Sequence, residues 1–197
     1  CSCDPGDTAL FVDPYYATYP GTIRAAGATP LTIPARPETH FQPDLDKLAA
    51  AAPKAKVLLI NAPNNPTGVS YSAETLHGIA EICQKHDLWL ISDEVYETLD
   101  WRGDFQSSRA VPGMADRTIT LGSLSKSHVM TGFRLGWLVG PADVAEGVLN
   151  LTTNTTYGLA GFVQDAGLFA LTKGDAAQAA SAALYRRRAA LAVEVFQ

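Results

Sequence analysis

Short apolar runs alternate along the chain with longer stretches in which apolar residues recur every three or four positions. Residues 8–12, 29–33, Val57–Asn61, 88–92, 118–122 and Gly136–Val139 have the length and composition of strands. Residues 16–26, 44–52, Ala73–His86 and 141–151 carry the spacing of helices with one buried face, and Ser72 stands where the third of these needs an N-cap. Strand, helix, strand repetition implies right-handed crossovers and a mainly parallel sheet covered on both faces, a three-layer α/β fold. The run Leu88-Trp89-Leu90-Ile91 is as apolar as burial on both faces demands.

Composition narrows the partners. With 197 residues, 47% of them hydrophobic, the chain has enough apolar side chains for a full core. A net charge of -5 leaves no basic surface for nucleic acid, and the apolar runs are far too short to cross a bilayer, so neither nucleic acid nor membrane is expected as a partner. Three cysteines, Cys1, Cys3 and Cys83, are an odd number at uneven spacing and read as reduced thiols of a cytoplasmic protein. Cys1-x-Cys3 has no second ligand pair, so no metal is expected. The chain opens in a turn, Asp4-Pro5-Gly6-Asp7, without an initiator Met or signal segment. Residues 175–197 form a helical pattern, with Leu184, Leu191 and Val195 on one face, that stops without a cap. Both ends therefore read as cuts in a longer chain. The run Arg186-Arg187-Arg188 spreads over a helix in different directions and reads as a solvated face.

In a parallel sheet all strands end at one edge, and ligands bind just outside it. Asp13-Pro14-Tyr15-Tyr16 follows the first strand and Asn61 to Gly68 the third. Asp93-Glu94-Val95-Tyr96 follows the fourth, and Ser123-Leu124-Ser125-Lys126 follows the fifth, with Arg134 eight residues beyond the lysine. Alone, Asn65-Pro66-Thr67-Gly68 is a turn, Asp93-Glu94 a helix start and Lys126 a surface lysine. Together they bring an aromatic ring, an amide, a carboxylate, a phenol, a lysine and an arginine to one edge. Charges at the ends of buried strands are costly unless paired or used.

At these residues the sequence resembles the class I/II aminotransferases, the aspartate aminotransferase-like enzymes of fold type I. The likeness runs from about Asp4 to the end and is most specific in Ser123-Leu124-Ser125-Lys126 with Gly132-Phe133-Arg134-Leu135-Gly136, joined to Asn64-Asn65-Pro66-Thr67-Gly68 and Asp93-Glu94-Val95-Tyr96. Within the family, the stretches around His86-Asp87-Leu88-Trp89, Pro112-Gly113-Met114-Ala115-Asp116-Arg117 and Ser125-Lys126-Ser127-His128 are most similar to arginine:pyruvate transaminases.

The resemblance implies pyridoxal 5'-phosphate as cofactor and transamination between an L-amino acid and a 2-oxo acid, in a cytoplasmic homodimer. It implies Lys126 as the amine that holds the cofactor as an imine and carries the proton, and Asp93 as the partner of the protonated ring nitrogen. Asn65 and Tyr96 are implied as the pair at the cofactor's phenolic oxygen, and Tyr16 as the ring that stacks on it. Arg134 and Ser123 are implied as the phosphate grip, with Ser125 either a further phosphate donor or a local turn hydroxyl. His128 has no implied role. Residues 1–172 would be most of the large cofactor-binding domain and 173–197 the start of the helix leading to a small C-terminal domain. The phosphate loop with its glycine and the arginine for the substrate carboxylate would lie outside the chain, so the 197-residue piece alone is expected to be inactive. The peptide bonds Asp13-Pro14 and Asn65-Pro66 are expected to be cis, as in relatives.

Two other readings compete. Some relatives eliminate across Cβ as carbon–sulfur lyases or close a ring as synthases, although Asp93-Glu94-Val95-Tyr96 fits aminotransferases better than the Asp-Glu-Ile-His of the lyases. Others are non-catalytic domains that sense the cofactor, but their motifs are degenerate, whereas here every covered position is filled.

Overall fold

The computed structural model describes residues 2–196; Cys1 and Gln197 lie outside the described residues. Six strands form one sheet in the order β2-β1-β3-β4-β5-β6. They are β1 (Thr8–Asp13), β2 (Thr29–Pro34), β3 (Val57–Asn61), β4 (Trp89–Asp93), β5 (Thr118–Ser123) and β6 (Gly136–Val139). The first five run parallel, and β6 pairs with β5 antiparallel.

Strand side chains alternate between faces, and here both faces are covered. Leu10 and Val12 of β1, with Leu58, Ile60 and Leu90, meet Leu48 of α2 (Leu45–Ala51) and Leu76, Ile79 and Cys83 of α3 (Ala73–His86). Ala9 and Phe11 point the other way, to Tyr19 and Ile23 of α1 (Tyr19–Ala25), with Val57 beside them. Thus the three-layer, mainly parallel α/β architecture is present.

Local chemistry explains the helix ends. Ser72 caps α3 as expected, its hydroxyl accepting from the Thr75 N–H at 3.1 Å, and Asp44 caps α2 by accepting from Lys47 N–H at 3.0 Å. α1 begins at Tyr19 rather than at Tyr16, which leaves Tyr16 in the preceding turn. Three helices complete the chain after β6: α5 (Ala142–Thr155), α6 (Gly161–Lys173) and α7 (Asp175–Phe196), preceded by the one-turn α4 (Leu124–Ser127).

The buried face expected of the fourth helix is corrected. α5 buries no residue, and Leu149 and Leu151 are exposed, because it follows β6 at the outer edge of the sheet. α7 packs chiefly on α4 and α6 and overhangs a groove, so Leu191 and Val195 of its apolar face lie in solvent. Arg186, Arg187 and Arg188 are exposed, the solvated face expected. Cys3 and Cys83 are free, and burial pushes the Cys83 thiol up to about 12. Among the described residues no helix is long and apolar enough to cross a membrane.

One buried carboxylate lies next to the site and ties the β4 turn to the sheet. Glu94 Oε1 accepts from Ser92 Oγ at 2.8 Å, Ser107 Oγ at 3.1 Å and Ser108 N–H at 3.1 Å. Burial pushes its carboxyl above the ordinary range, with the three donors opposing. A raised pKa in the fold means that the protonated form is favoured there. Its stabilising contribution is full below the unfolded value of about 4.3 and is lost as pH rises through the raised folded value. Glu94→Gln, which does not titrate, should therefore gain on wild type in melting temperature as pH rises from about 4 to 7, in paired melts. A constant difference would contradict this. Glu94→Ala, leaving three donors unpaired, should cost about 3 kcal/mol near pH 4 and less as pH rises toward 7, because alanine does not titrate either.

Candidate active site

The parallel register brings the strand ends together. Asn61 of β3 stands opposite Asp93 of β4, and Asp93 opposite Leu121 of β5, with Ser123 two residues further along. The turns that follow bend back over this edge. Asp13-Pro14 and Asn65-Pro66 are cis as expected, and Ala62-Pro63 is cis as well. A cavity of about 350 Å³ opens at the edge, and every residue expected in the site lines it: Tyr16, Asn65, Asp93, Tyr96, Ser123, Ser125, Lys126 and Arg134.

In the cavity Asp93 is held by groups from three elements. Its Oδ2 accepts from the Tyr19 hydroxyl at 2.7 Å and its Oδ1 from Val95 N–H at 3.3 Å. Its backbone carbonyl accepts from Asn61 Nδ2 at 2.9 Å and Ala62 N–H at 3.1 Å. Burial first, and the Asp93 charge second, push the Tyr19 phenol far above its ordinary value, so it stays protonated as a donor. Tyr16 is 45% exposed and meets Tyr19 edge to face with ring centroids 5.7 Å apart.

Asn65 and Tyr96 do meet: Asn65 Nδ2 donates to the Tyr96 hydroxyl at 3.4 Å. Asn65 is itself fixed through its N–H, which donates to Asn61 Oδ1 at 2.7 Å. The Lys126 amine lies 5.8 Å from the centroid of the Tyr96 ring. Among the described residues the ion pairs are Lys47–Asp44 and Arg117–Asp87, so no carboxylate holds Lys126. It enters the cavity from α4, whose Leu124 is fully buried and fixes the turn.

The Ser123 hydroxyl caps α4 by accepting from Ser125 N–H at 3.0 Å and donates to the Leu135 carbonyl at 3.3 Å. The local turn hydroxyl is therefore Ser123, whereas the Ser125 side chain makes no such bond. Arg134 is exposed, in the left-handed region at φ 53°, and spends one N–H on the Thr131 carbonyl at 2.7 Å. Its other guanidinium donors remain for a ligand. The approach is set by a packing detail: the Trp137 indole of β6 lies across Gly122 of β5, where a Cβ would clash with the ring. His128 bonds Ser127 Oγ through Nδ1 at 2.8 Å and does not line the cavity.

Two residues of this network were not anticipated. Asn61 ties the ends of β3 and β4 and could have been suspected from its place directly after the apolar run 57–60. Tyr19 lies 74 residues from Asp93 in sequence, a pairing without any local signal. A larger groove of about 1120 Å³ adjoins the cavity, sharing Asn65, Tyr96, Ser125, Lys126 and Thr131, and is also lined by Tyr185 and Val193 of α7.

The sequence model of the family Aminotransferase class I and II matches residues 1–195. The arginine–pyruvate transaminase AruH of Pseudomonas aeruginosa is 43% identical over 195 residues, covering 98% of this chain and 50% of that protein. The aspartate/prephenate aminotransferase of Thermus thermophilus is 36% identical over 97% of this chain and 50% of its own length. The structure of aspartate aminotransferase from Thermus thermophilus with maleate superposes with a TM-score of 0.91 at 35% identity, covering 98% of this chain and 51% of that one. N-succinyldiaminopimelate aminotransferase from Mycobacterium tuberculosis follows with a TM-score of 0.88 at 37% identity, covering 96% and 50%. The chain thus spans about half the length of the relatives it matches. With the sheet and the order of the motifs in agreement with these likenesses, the chain belongs to the class I and II aminotransferases.

Proposed function

We propose that the full-length enzyme to which this chain contributes transfers an amino group between an L-amino acid and a 2-oxo acid, using pyridoxal 5'-phosphate bound in the 350 Å³ cavity. The observation that carries this reading is the meeting of the Lys126 amine, the Asp93 carboxylate and the Asn65–Tyr96 pair in one cavity at the strand ends. That donor set fits the cofactor group by group. A carboxylate suits a protonated pyridine nitrogen, an amide and a phenol suit a phenolate oxygen, and an unpaired amine suits an aldehyde. Arg134 and Ser125 suit a phosphate. Ser123 joins them only by giving up its 3.3 Å bond to the Leu135 carbonyl. Tyr16, half-exposed at the mouth, suits the face of a planar ring.

When bound, the cofactor supplies an aldehyde for the amino group and a ring that accepts the electron pair left at the substrate Cα. The protein's own groups do the rest. Lys126 provides the nitrogen that holds the aldehyde carbon. Once released, its amine would take the proton from Cα and deliver it to the former aldehyde carbon, two bonds away across the nitrogen, as base and then acid. Asp93 keeps the ring nitrogen protonated throughout. Asn65 and Tyr96 hold the phenolic oxygen and so set the proton affinity of the neighbouring nitrogen.

Residues 1–172 are assigned to the large domain and 173–197 to the lead into a small one, supported by the break between α6 and α7 at Gly174. We assign the enzyme to the cytoplasm as a homodimer, supported by family membership; sedimentation of the full-length protein at twice its monomer mass is the expected result. The function itself is tested by incubating the full-length holoenzyme with a panel of L-amino acids and either pyruvate or 2-oxoglutarate. Arginine with pyruvate is the first pair, because the AruH relative is named for it. A new amino acid appearing in step with a new 2-oxo acid is expected. Sulfide or ammonia released without an acceptor would favour the lyase reading, and no reaction with bound cofactor would favour the sensor.

A further inference from the structure

We propose that Tyr19 is a positioning residue for Asp93, its hydroxyl holding the carboxylate in the orientation that meets the ring nitrogen of the bound cofactor. This rests on the reading of Asp93 given above. The backbone of Asp93 is anchored twice, through Asn61 Nδ2 and Ala62 N–H to its carbonyl. Its side chain is not held that way. The last torsion of an aspartate is broad and roughly two-fold, so backbone anchoring leaves the carboxylate plane free. Two donors restrain that plane. One is Val95 N–H at 3.3 Å, a long contact within the same turn. The other is the Tyr19 hydroxyl at 2.7 Å, the shorter bond and one that arrives from a different element.

Tyr19 is built to hold its position. It starts α1, is 9% exposed, and packs in the cluster of Phe11, Ile23 and Val57 beneath the sheet. It also lines the cavity beside Asp93, which its hydroxyl meets. Its phenol keeps its proton because burial and the adjacent carboxylate both oppose ionisation, so it acts only as donor toward Asp93. A carboxylate so placed offers its remaining lone pairs in fixed directions, and misorientation at such a contact is paid for in rate.

The test is Tyr19→Phe in the full-length holoenzyme carrying cofactor labelled with nitrogen-15 at the ring. Phenylalanine retains the ring in the Phe11–Ile23 cluster and removes only the hydroxyl; Tyr19→Leu, also without the hydroxyl, serves if that variant does not fold. The expected result is a ring-nitrogen signal displaced from the protonated toward the unprotonated position. A roughly tenfold lower kcat should accompany it, with KM for the amino acid within twofold. A signal at the wild-type position overturns the proposal, whether or not kcat falls, since a fall alone is a packing effect. Asp93→Asn run alongside separates the two readings. If its signal moves while that of Tyr19→Phe does not, Asp93 keeps its role and only Tyr19 is rejected. If neither moves, the Asp93 reading fails and the proposal with it.

Discussion

Replacing Lys126 with alanine should lower transamination by the full-length holoenzyme about 10⁴-fold or more, the largest single effect at this site. The size follows from two tasks resting on one nitrogen. Lys126 is the amine in the cavity without an ion-pair partner among the described residues, 5.8 Å from the Tyr96 ring, so no neighbouring amine is placed to take over. The variant should still bind the cofactor through Arg134 and Asp93, but exchange it readily. A small amine such as methylamine should restore part of the lost rate, since the missing group is a mobile proton carrier in an otherwise intact cavity. A readout independent of rate exists as well. Borohydride reduction of the wild-type holoenzyme, then peptide mapping, should find the cofactor fixed to the peptide carrying Lys126. A label on Lys85 or Lys173, or an alanine variant that turns over within tenfold of wild type, would remove Lys126 from its role.

The site was legible in the sequence to the extent that it is built from segments that follow strands. Strand ends are visible as the last apolar residue of a run, and a parallel sheet brings all such ends to one edge, so Asn65, Asp93, Ser123 and Lys126 could be assigned to a common site before any coordinates. What was not legible depends on partners far along the chain. β4 begins at Trp89 rather than Leu88 because pairing of Val57 with Trp89 sets the ladder, while Leu88 N–H is used to close α3 on the Cys83 carbonyl at 2.9 Å. The antiparallel direction of β6 has no signature, since alternation of side chains reads the same both ways. α6 escaped notice because Phe162, Leu168, Phe169 and Leu171 stay exposed and no single apolar stripe marks it. The bond from Tyr19 to Asp93 joins residues of α1 and β4, which are not neighbours in the sequence, and only the fold reveals it.

Replacing Asp93 with alanine should leave the cofactor bound while lowering kcat by about 10³-fold, within the range of a positioned proton-holding group. Binding survives because the other contacts come from separate elements: Lys126 from α4, Asn65 and Tyr96 from the turns after β3 and β4, and Arg134 from the turn before β6. The rate falls because removing the Cα proton leaves an electron pair that only a protonated ring accepts well, and Asp93 is the carboxylate that lines the cavity. The loss should appear in the proton-transfer step and not in substrate binding. The deuterium isotope effect with substrate labelled at Cα should approach its full value, while KM changes little. Asp93→Asn should behave much like the alanine variant, since an amide keeps the shape but cannot carry the charge. Asp93→Glu should recover part of the rate, limited by the fit of the longer arm against Tyr19. The alanine variant would also unpair the Tyr19 hydroxyl, a buried donor left without its acceptor, so a lower melting temperature is expected with it. That fall should shrink in the double variant Tyr19→Phe, Asp93→Ala, whereas kcat should stay as low as in Asp93→Ala alone. Near-normal turnover in Asp93→Ala with cofactor bound would take the carboxylate out of the chemistry altogether, and the site would then have to be read again from Lys126 and Arg134.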